Sequence, residues 1–159
     1  MENINEKAID VAIDESKVNM KNNYQKGGPF GAAIVKDGKI IAKAHNTVIE
    51  SKDATAHAEV NAIRKASKVL NTHDLSGCIL YTSAEPCPMC LSAIIWANIK
   101  EVYFVNTRKD ADAIGFRDDM IYDYLKGKNK DLIHVHHVEN DEALEVFEDF
   151  QELDDKELY

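Results

Sequence analysis

Two short apolar runs, residues 30–36 and 39–44, are separated only by Asp37 and Gly38. An Asp-Gly pair in this setting is a strong signal for a two-residue turn, because both central positions of that turn need a positive φ. The two runs are therefore predicted to form an antiparallel hairpin. The hairpin predicts a β-sheet that begins in the first third of the chain. The remaining elements must pair with this sheet or pack against it.

Outside the hairpin, helical patterns and apolar runs alternate along the chain. Apolar residues at helical spacing predict an opening helix at about residues 3–23, which ends before Gly27, Gly28 and Pro29. Further helices are predicted at residues 60–70, 88–98, 121–125 and 142–153, and further strands at 78–81, 101–105 and 132–138. Helices between the later strands imply crossover connections. We therefore expect an α/β fold, a three-layer α/β/α sandwich around a mixed sheet.

Length and composition indicate one soluble globular domain over residues 1–159, with 45% hydrophobic and 30% charged residues. The longest apolar run, residues 93–97, is far shorter than the roughly 20 residues of a membrane helix, so a membrane-spanning protein is excluded. Residues 1–17 carry mixed charge without the apolar core of a secretory signal, and a cytoplasmic location is expected. Three cysteines are an odd number, which favours metal ligation or burial over a disulfide framework.

The net charge of −9 is localised at one end of the chain. Residues 139–159 contain ten acidic residues and one lysine, so residues 1–138 balance at 18 acidic against 18 basic residues. A protein that binds nucleic acid through its phosphates needs a basic surface, and this balance argues against that class.

Two short motifs carry the chemical information. His57 and Glu59 form an H-x-E motif, and Cys87 and Cys90 lie in a P-C-x-x-C motif that begins 27 residues after Glu59. Each motif alone is weak, but together they match the signature of zinc-dependent base deaminases. Cys87 and Cys90 share one face of the first turn of a helix that Pro88 opens, where free amides and the helix dipole favour thiolates.

His57 is the predicted third ligand of a zinc ion, and this set leaves one tetrahedral position open, as in catalytic sites. Zinc lowers the pKa of water toward about 7, and a neighbouring carboxylate can then move a proton to a leaving amine. Glu59 is assigned this proton transfer, although its spacing also allows a fourth ligand. Residues i and i+2 of a helix point about 200° apart, so His57 must sit at or before the helix cap if both residues are to face one metal.

A structural zinc site is the alternative, and it requires a fourth protein ligand. Cys78 is the only other cysteine, but it opens an apolar run in which a small buried side chain is expected. A second group of imidazoles lies on the predicted strand 132–138. Surface positions are favoured over a second metal site for its members, His134, His136 and His137. No role is assigned to the two remaining histidines, His45 and His73.

With these motifs placed, the chain resembles the cytidine-deaminase superfamily, and within it the short bacterial guanine deaminases, over almost its full length. The supporting residues, besides the zinc motifs, are Gly27-Gly28-Pro29-Phe30-Gly31-Ala32, Asn46, Thr55-Ala56-His57-Ala58-Glu59-Val60, Trp96, Gly115-Phe116, Asp118 and Tyr159. The resemblance implies a five-stranded mixed sheet between helices and one zinc ion per subunit. It also implies a homodimer in which the C-terminal segment, about residues 139–159, is exchanged between subunits.

The resemblance further implies hydrolysis of guanine to xanthine and ammonia, and it assigns roles to five residues. Asn46 resembles the amide that hydrogen-bonds the purine, and Phe30 and Trp96 resemble walls of its pocket. Asp118 resembles a catalytic carboxylate that reads the guanine edge and shares in proton transfer, and Tyr159 resembles the terminal tyrosine that closes the partner's site. Without the resemblance, residues of these types are more often structural, with Phe30 and Trp96 in the core, Asn46 in a turn and Tyr159 at a frayed end.

The chain departs from the family pattern at two places. Ala54 stands where proline is usual, which changes only the stiffness of a loop. Arg117, Asp118 and Asp119 replace the usual pair of aspartates followed by a small residue, which puts a cation and a second carboxylate beside Asp118. The alternatives are a tRNA adenosine deaminase, a deaminase of another aminated base, and a zinc-stabilised binding module. The expected partner is a small purine, with no nucleic acid and no membrane.

Overall fold

The computed structural model describes residues 3–159. Its strands are β1 (Gly31–Lys36), β2 (Lys39–His45), β3 (Cys78–Ala84) and β4 (Glu101–Asn106). Its helices are α1 (Glu6–Ser16), α2 (Val48–Ser51), α3 (Ala58–Leu70), α4 (Pro88–Trp96), α5 (Arg108–Ala113), α6 (Asp119–Leu125) and α7 (Asp141–Gln151). Within the described residues, no helix has both the length and the apolar character needed to cross a membrane.

The four strands form one mixed sheet in the order β2-β1-β3-β4. Strand β1 pairs antiparallel with both β2 and β3, whereas β3 and β4 are parallel and are connected through α4. The predicted hairpin turn is confirmed, since Asp37 and Gly38 both adopt positive φ, 50° and 77°. The parallel pair brings the carboxyl ends of β3 and β4 to one edge of the sheet, next to the start of α4.

Helices cover both faces of the sheet, which confirms the predicted α/β/α layers. On one face, alternate residues of the strands, such as Ile34 and Leu80, pack with α3 and α4 around Ala62 and Ile94. On the opposite face, Val35 and Tyr81 pack against Ala8 of α1, and a stacked ring contact joins Tyr81 to Tyr103. Alanines supply most of the helix positions buried in these layers, which lets the helix backbones approach the sheet closely.

The prediction of a fifth strand at residues 132–138 is wrong for this chain. Lys130–Leu132 is a 3₁₀-helix, and the residues that follow it lie outside any strand, with Val135 and Val138 exposed by 76% and 81%. The alternating pattern of this segment suits a strand, but a strand forms only when its backbone pairs with a neighbour, and within the described residues the edge strand β4 pairs only with β3. The opening helix also ends earlier than predicted, at Ser16, and a 3₁₀-helix at Val18–Asn22 follows it.

Candidate active site

The two cysteines of the P-C-x-x-C motif lie at the start of α4, as predicted. Cys87 is the N-cap of the helix and Pro88 occupies its first turn, where a missing N–H costs nothing. The Cys90 amide is directed at Cys87 Sγ, 3.5 Å away, so the helix terminus itself favours a negative charge on that sulfur. The local sequence therefore places both sulfurs side by side at the carboxyl end of β3.

His57 is the N-cap of α3, with extended backbone angles of φ −70° and ψ 157°. This position satisfies the geometric requirement for His57 and Glu59 to face the same site. His57 Nδ1 lies 3.5 Å from Cys87 Sγ and 3.4 Å from Cys90 Sγ. Two ligands of a tetrahedral zinc, one sulfur and one nitrogen, are about 3.6 Å apart, so the three side chains fit a zinc ion.

Within residues 3–159, His57, Cys87 and Cys90 are the one group of potential metal ligands whose atoms all lie within 4.8 Å of one another. Cys78 is buried at the start of β3 and is not a member of this group, as expected of a structural cysteine. Hydrogen bonding from the Cys90 thiol, followed by that from His57, holds the pKa of Cys87 far below its usual value. The hydrogen bond to Cys87 in turn raises the pKa of His57.

Glu59 lies beside the metal-ligand group and is only 5% exposed. Its Oε1 accepts a hydrogen bond from Thr82 Oγ1 at 2.7 Å. Burial raises the pKa of Glu59, and the hydrogen bond from Thr82 opposes that shift. Thr82 was not identified from the sequence, although a polar side chain on the buried face of an apolar strand is the signal that could have revealed it.

A cavity of about 520 Å³ opens in front of the metal-ligand group, within the usual size range of small-molecule sites. His57, Glu59 and Cys87 line its floor. Phe30 forms part of its wall and makes an edge-to-face contact with Phe116 at a centroid distance of 4.9 Å. The cavity is therefore a largely apolar, aromatic slot that ends at a cluster of polar groups.

Two of the predicted polar residues also line this cavity. Asn46 is buried, and its Oδ1 accepts hydrogen bonds from the amides of Gly28 and Val48, at 3.3 and 3.1 Å. The Asn46 amide nitrogen is therefore the group left to donate to a ligand. Asp118 lies at the start of α6, and burial, followed by the charge of Cys87, raises its pKa.

Trp96 and Tyr159 do not reach this cavity within the single chain. They lie against each other, with ring centroids 6.1 Å apart, and are exposed by 63% and 82%. The C-terminal residues are held there by Glu157, whose carboxylate lies 2.7 Å from His73 Nε2. The structure thus brings seven of the nine predicted site residues together and places the other two as a separate pair.

The remaining histidines lie elsewhere. His134, His136 and His137 are exposed in the segment after the 3₁₀-helix, which agrees with surface imidazoles. His45 Nδ1 lies 3.1 Å from Glu15 Oε2 in an ion pair at the end of β2.

Comparisons with known proteins agree with this geometry. Residues 2–106 match the family model of the cytidine and deoxycytidylate deaminase zinc-binding region. A guanine deaminase from Bacillus subtilis is 50% identical over 134 residues, which are 84% of this chain and 86% of that protein. The X-ray structure of guanine deaminase from Bacillus subtilis superposes with a TM-score of 0.87 and 43% identity, covering 97% of this chain and 98% of that one.

More distant relatives include a tRNA-specific adenosine deaminase from Aquifex aeolicus, 50% identical over 97 residues, which are 60% of this chain and 62% of that protein. The match to that protein therefore extends over a smaller part of both chains. The family-model match, the identity over most of the chain and the ligand geometry lead to one conclusion. The chain belongs to the cytidine and deoxycytidylate deaminase zinc-binding family.

Proposed function

We propose that this chain is a zinc-dependent guanine deaminase, which hydrolyses guanine to xanthine and ammonia. The observation that carries the proposal is the three-ligand site of His57, Cys87 and Cys90 at the floor of an apolar cavity, with Glu59 beside it. Three protein ligands leave a coordination position open, which distinguishes a catalytic site from a structural one. The similarity to a guanine deaminase over 84% of the chain supports guanine as the substrate.

The roles of the charged residues follow from where they lie. Zinc, when bound at His57, Cys87 and Cys90, supplies a Lewis acid that lowers the pKa of water. Glu59 takes up one proton of water and delivers it to the purine ring, and it then transfers the second proton of that water to the departing amine, as its buried position next to the ligands allows. One water is consumed and one ammonia is released, so Glu59 ends each cycle in the state in which it began.

The cavity wall provides the groups that hold the base. Phe30 and Phe116 present aromatic faces and edges to a flat heterocycle. Asn46 donates its amide N–H to an acceptor atom of the purine, because its oxygen is already engaged by backbone amides. Asp118 accepts from the N–H groups along the guanine edge and shares in proton transfer. Adenine lacks that arrangement of N–H groups, so Asp118 is the residue that favours guanine.

We further propose that the working enzyme is a homodimer with exchanged C-terminal segments, about residues 139–159. Helix α7 has no buried residue in the single chain, although it carries Leu144, Phe147 and Phe150, exposed by 58%, 73% and 44%. Apolar side chains of this kind gain stability by packing against a second copy. In that arrangement, Tyr159 closes the cavity of the partner and Trp96 contributes to its wall.

A tRNA adenosine deaminase is the second candidate, favoured by the matches over 60% of the chain to such enzymes. The charge distribution opposes it, because residues 1–138 are balanced and residues 139–159 are strongly acidic.

We place the enzyme in the cytoplasm, where reducing conditions keep the thiols of Cys87 and Cys90 available for a metal.

The test is release of ammonia by the zinc-loaded protein from guanine, adenine, cytosine, guanosine and a tRNA anticodon stem, with Glu59→Gln in parallel. Xanthine formed from guanine by the wild type and not by Glu59→Gln is the expected result. Turnover of the anticodon stem instead of guanine assigns the chain to the tRNA enzymes. Equal zinc content with no turnover of any substrate overturns the enzymatic proposal in favour of a binding module.

A further inference from the structure

The buried residue Asn19 is one of the few polar side chains in the core, with an exposure of 1%. It lies in the 3₁₀-helix at Val18–Asn22, and its Nδ2 donates to two main-chain carbonyls. These are the carbonyl of Asn46 at 2.8 Å and that of Gly28 at 3.1 Å. Both hydrogens of the Asn19 amide are therefore used on the segments that form one wall of the cavity.

Asn19, Gly28 and Asn46 form a closed set of hydrogen bonds. The Gly28 carbonyl accepts from Asn19, while the Gly28 amide donates to Asn46 Oδ1 at 3.3 Å. This arrangement fixes the direction of the Asn46 side chain, since a flipped amide would place its NH₂ against the amides of Gly28 and Val48. The network therefore determines which group of Asn46 faces the cavity.

The space around this network is filled. A Cβ at Gly27 would overlap the Asn46 carbonyl oxygen and lie 2.6 Å from Asn46 Oδ1. The main-chain carbonyl of Asn19 also accepts from the amide of Tyr24 at 2.8 Å. Tyr24 lines the cavity and, like Asn23 before it, has a positive φ, 59° and 54°. An aromatic residue rarely adopts this conformation unless neighbouring contacts hold it there.

We infer that Asn19 is a positioning residue for base recognition, which acts by holding Asn46 with its N–H directed into the cavity. This inference rests on the proposed function for the identity of the base, but the hydrogen-bond network itself does not depend on it. Asn19 lines neither the metal-ligand group nor the cavity. Its effect on a substrate must therefore pass through the residues that its amide holds, Asn46 and Gly28.

The experiment measures kcat and KM for guanine on zinc-loaded full-length protein. The variants are Asn19→Ala, Asn46→Ala, their double mutant and the control Asn5→Ala. Asn5 is a matched asparagine, because its side chain caps α1 by accepting from the Ala8 amide at 3.1 Å, away from the cavity. Asn19→Ala is expected to raise KM roughly tenfold or more with a smaller change in kcat, since one oriented hydrogen bond to the base is lost.

Asn5→Ala is expected to lower the melting temperature and leave KM unchanged. Asn19→Ala should add little to KM in the Asn46→Ala background, because both changes remove the same contact. A KM for Asn19→Ala within twofold of the Asn5→Ala value overturns the inference, and so does a full-sized effect of Asn19→Ala on top of Asn46→Ala.

Failure of the inference about Asn19 can be distinguished from failure of the proposed function. If the wild type converts a different base, guanine is rejected as the substrate and the same cycle is measured on that base. If it converts none, dissociation constants for the analogue 8-azaguanine, measured by calorimetry, replace KM in the cycle. A wild type that does not bind 8-azaguanine overturns the inference together with the purine site.

Discussion

Thr82 Oγ1 lies 2.7 Å from Glu59 Oε1, and the same hydroxyl lies 3.0 Å from the main-chain oxygen of Ala84. All three groups are buried. A carboxylate that must give up and regain a proton benefits from a neighbour that fixes its orientation, because misalignment lengthens every proton transfer. Thr82 therefore connects the rigid centre of the sheet to the group that we assign to proton transfer.

Replacement of Thr82 is expected to slow turnover without removing the metal. Thr82→Val keeps the shape of the side chain but removes the hydroxyl, and we expect kcat to fall about tenfold, the effect of one lost hydrogen bond. Thr82→Ser retains the hydroxyl and should keep kcat within about threefold of the wild type. Steady-state kinetics with zinc analysis of each variant measure this, and equal kcat values for the two variants would contradict it.

The metal site is expected to be required for turnover and not for folding. Cys87→Ser and Cys90→Ser should lose the zinc ion, while the control Cys78→Ser, in which the changed side chain is buried outside the site, should retain one per chain. Metal analysis after gel filtration measures the content. The chelator-treated wild type should keep the circular dichroism spectrum of a folded protein at 25 °C, because α1 and α3 pack on the sheet through apolar residues that are not metal ligands. Unfolding on chelation would indicate a structural site.

The exchanged dimer predicts complementation between two inactive chains. Glu59→Gln lacks the proton-transfer group, and a variant that ends at Leu158 lacks Tyr159. In co-expressed heterodimers one cavity has both an intact Glu59 and an intact partner tail, so about a quarter of wild-type activity should return. Each variant expressed alone is the control. If the tail closes the cavity of its own chain, the mixture will show no more activity than the two variants measured separately.

A methyl group at Gly31 is expected to destabilise the fold. Its Cβ would overlap Ala12 O and Ser16 N at the end of α1 and would lie 2.7 Å from Glu15 Cβ. Gly31→Ala should therefore cost about 3 kcal/mol of unfolding free energy, the upper range for overpacking, because two of the overlapped atoms are backbone. Gly127→Ala, which meets no atom within 4 Å at a φ of 82°, should cost about 1 kcal/mol. Denaturant unfolding compares them, and equal losses would contradict the packing argument.

The start of α5 should become less stable in acid. Thr107 and Asp110 form a capping box, and hydrogen bonds from the Thr107 amide and hydroxyl hold the pKa of Asp110 below its usual value of 3.8. A lowered carboxyl pKa contributes stability above the unfolded value and loses it as the pH falls through the folded value. Asp110→Asn should therefore lower the melting temperature more at pH 7 than at pH 3. Asp112→Asn, on the same helix and outside the capping box, is the control.

The sequence was sufficient to predict those parts of the protein that depend on residues close together in the chain or on a known motif. The hairpin followed from Asp37 and Gly38, and the metal ligands followed from the spacing of His57, Cys87 and Cys90. The position of His57 at the helix cap was a condition that the proposed site had to meet. The sequence did not predict it, because periodicity does not specify where a helix begins. Thr82 was missed for a different reason, since its partner Glu59 is 23 residues away and only packing of α3 on the sheet joins them.

The prediction of a strand at residues 132–138 shows a second limit. Alternation of apolar and polar residues records which side chains prefer burial, but it does not say against which surface. Ile133 has extended backbone angles, φ −154° and ψ 144°, but it lies outside the sheet. Trp96 and Tyr159 meet a similar limit, because the roles that we propose for them require a second copy of the chain.

The cavity wall formed by Ala111, Ile114, Phe116 and Asp118 lies in the chain after residue 106, where the match to the family model ends. The metal ligands and Glu59 all lie before that point. Phe30 and Asn46 lie before it as well, so one wall of the cavity follows the metal-ligand motifs in the sequence and another precedes them. Substitutions after residue 106 can therefore reshape one wall of the cavity while they leave the metal ligands and Glu59 unchanged.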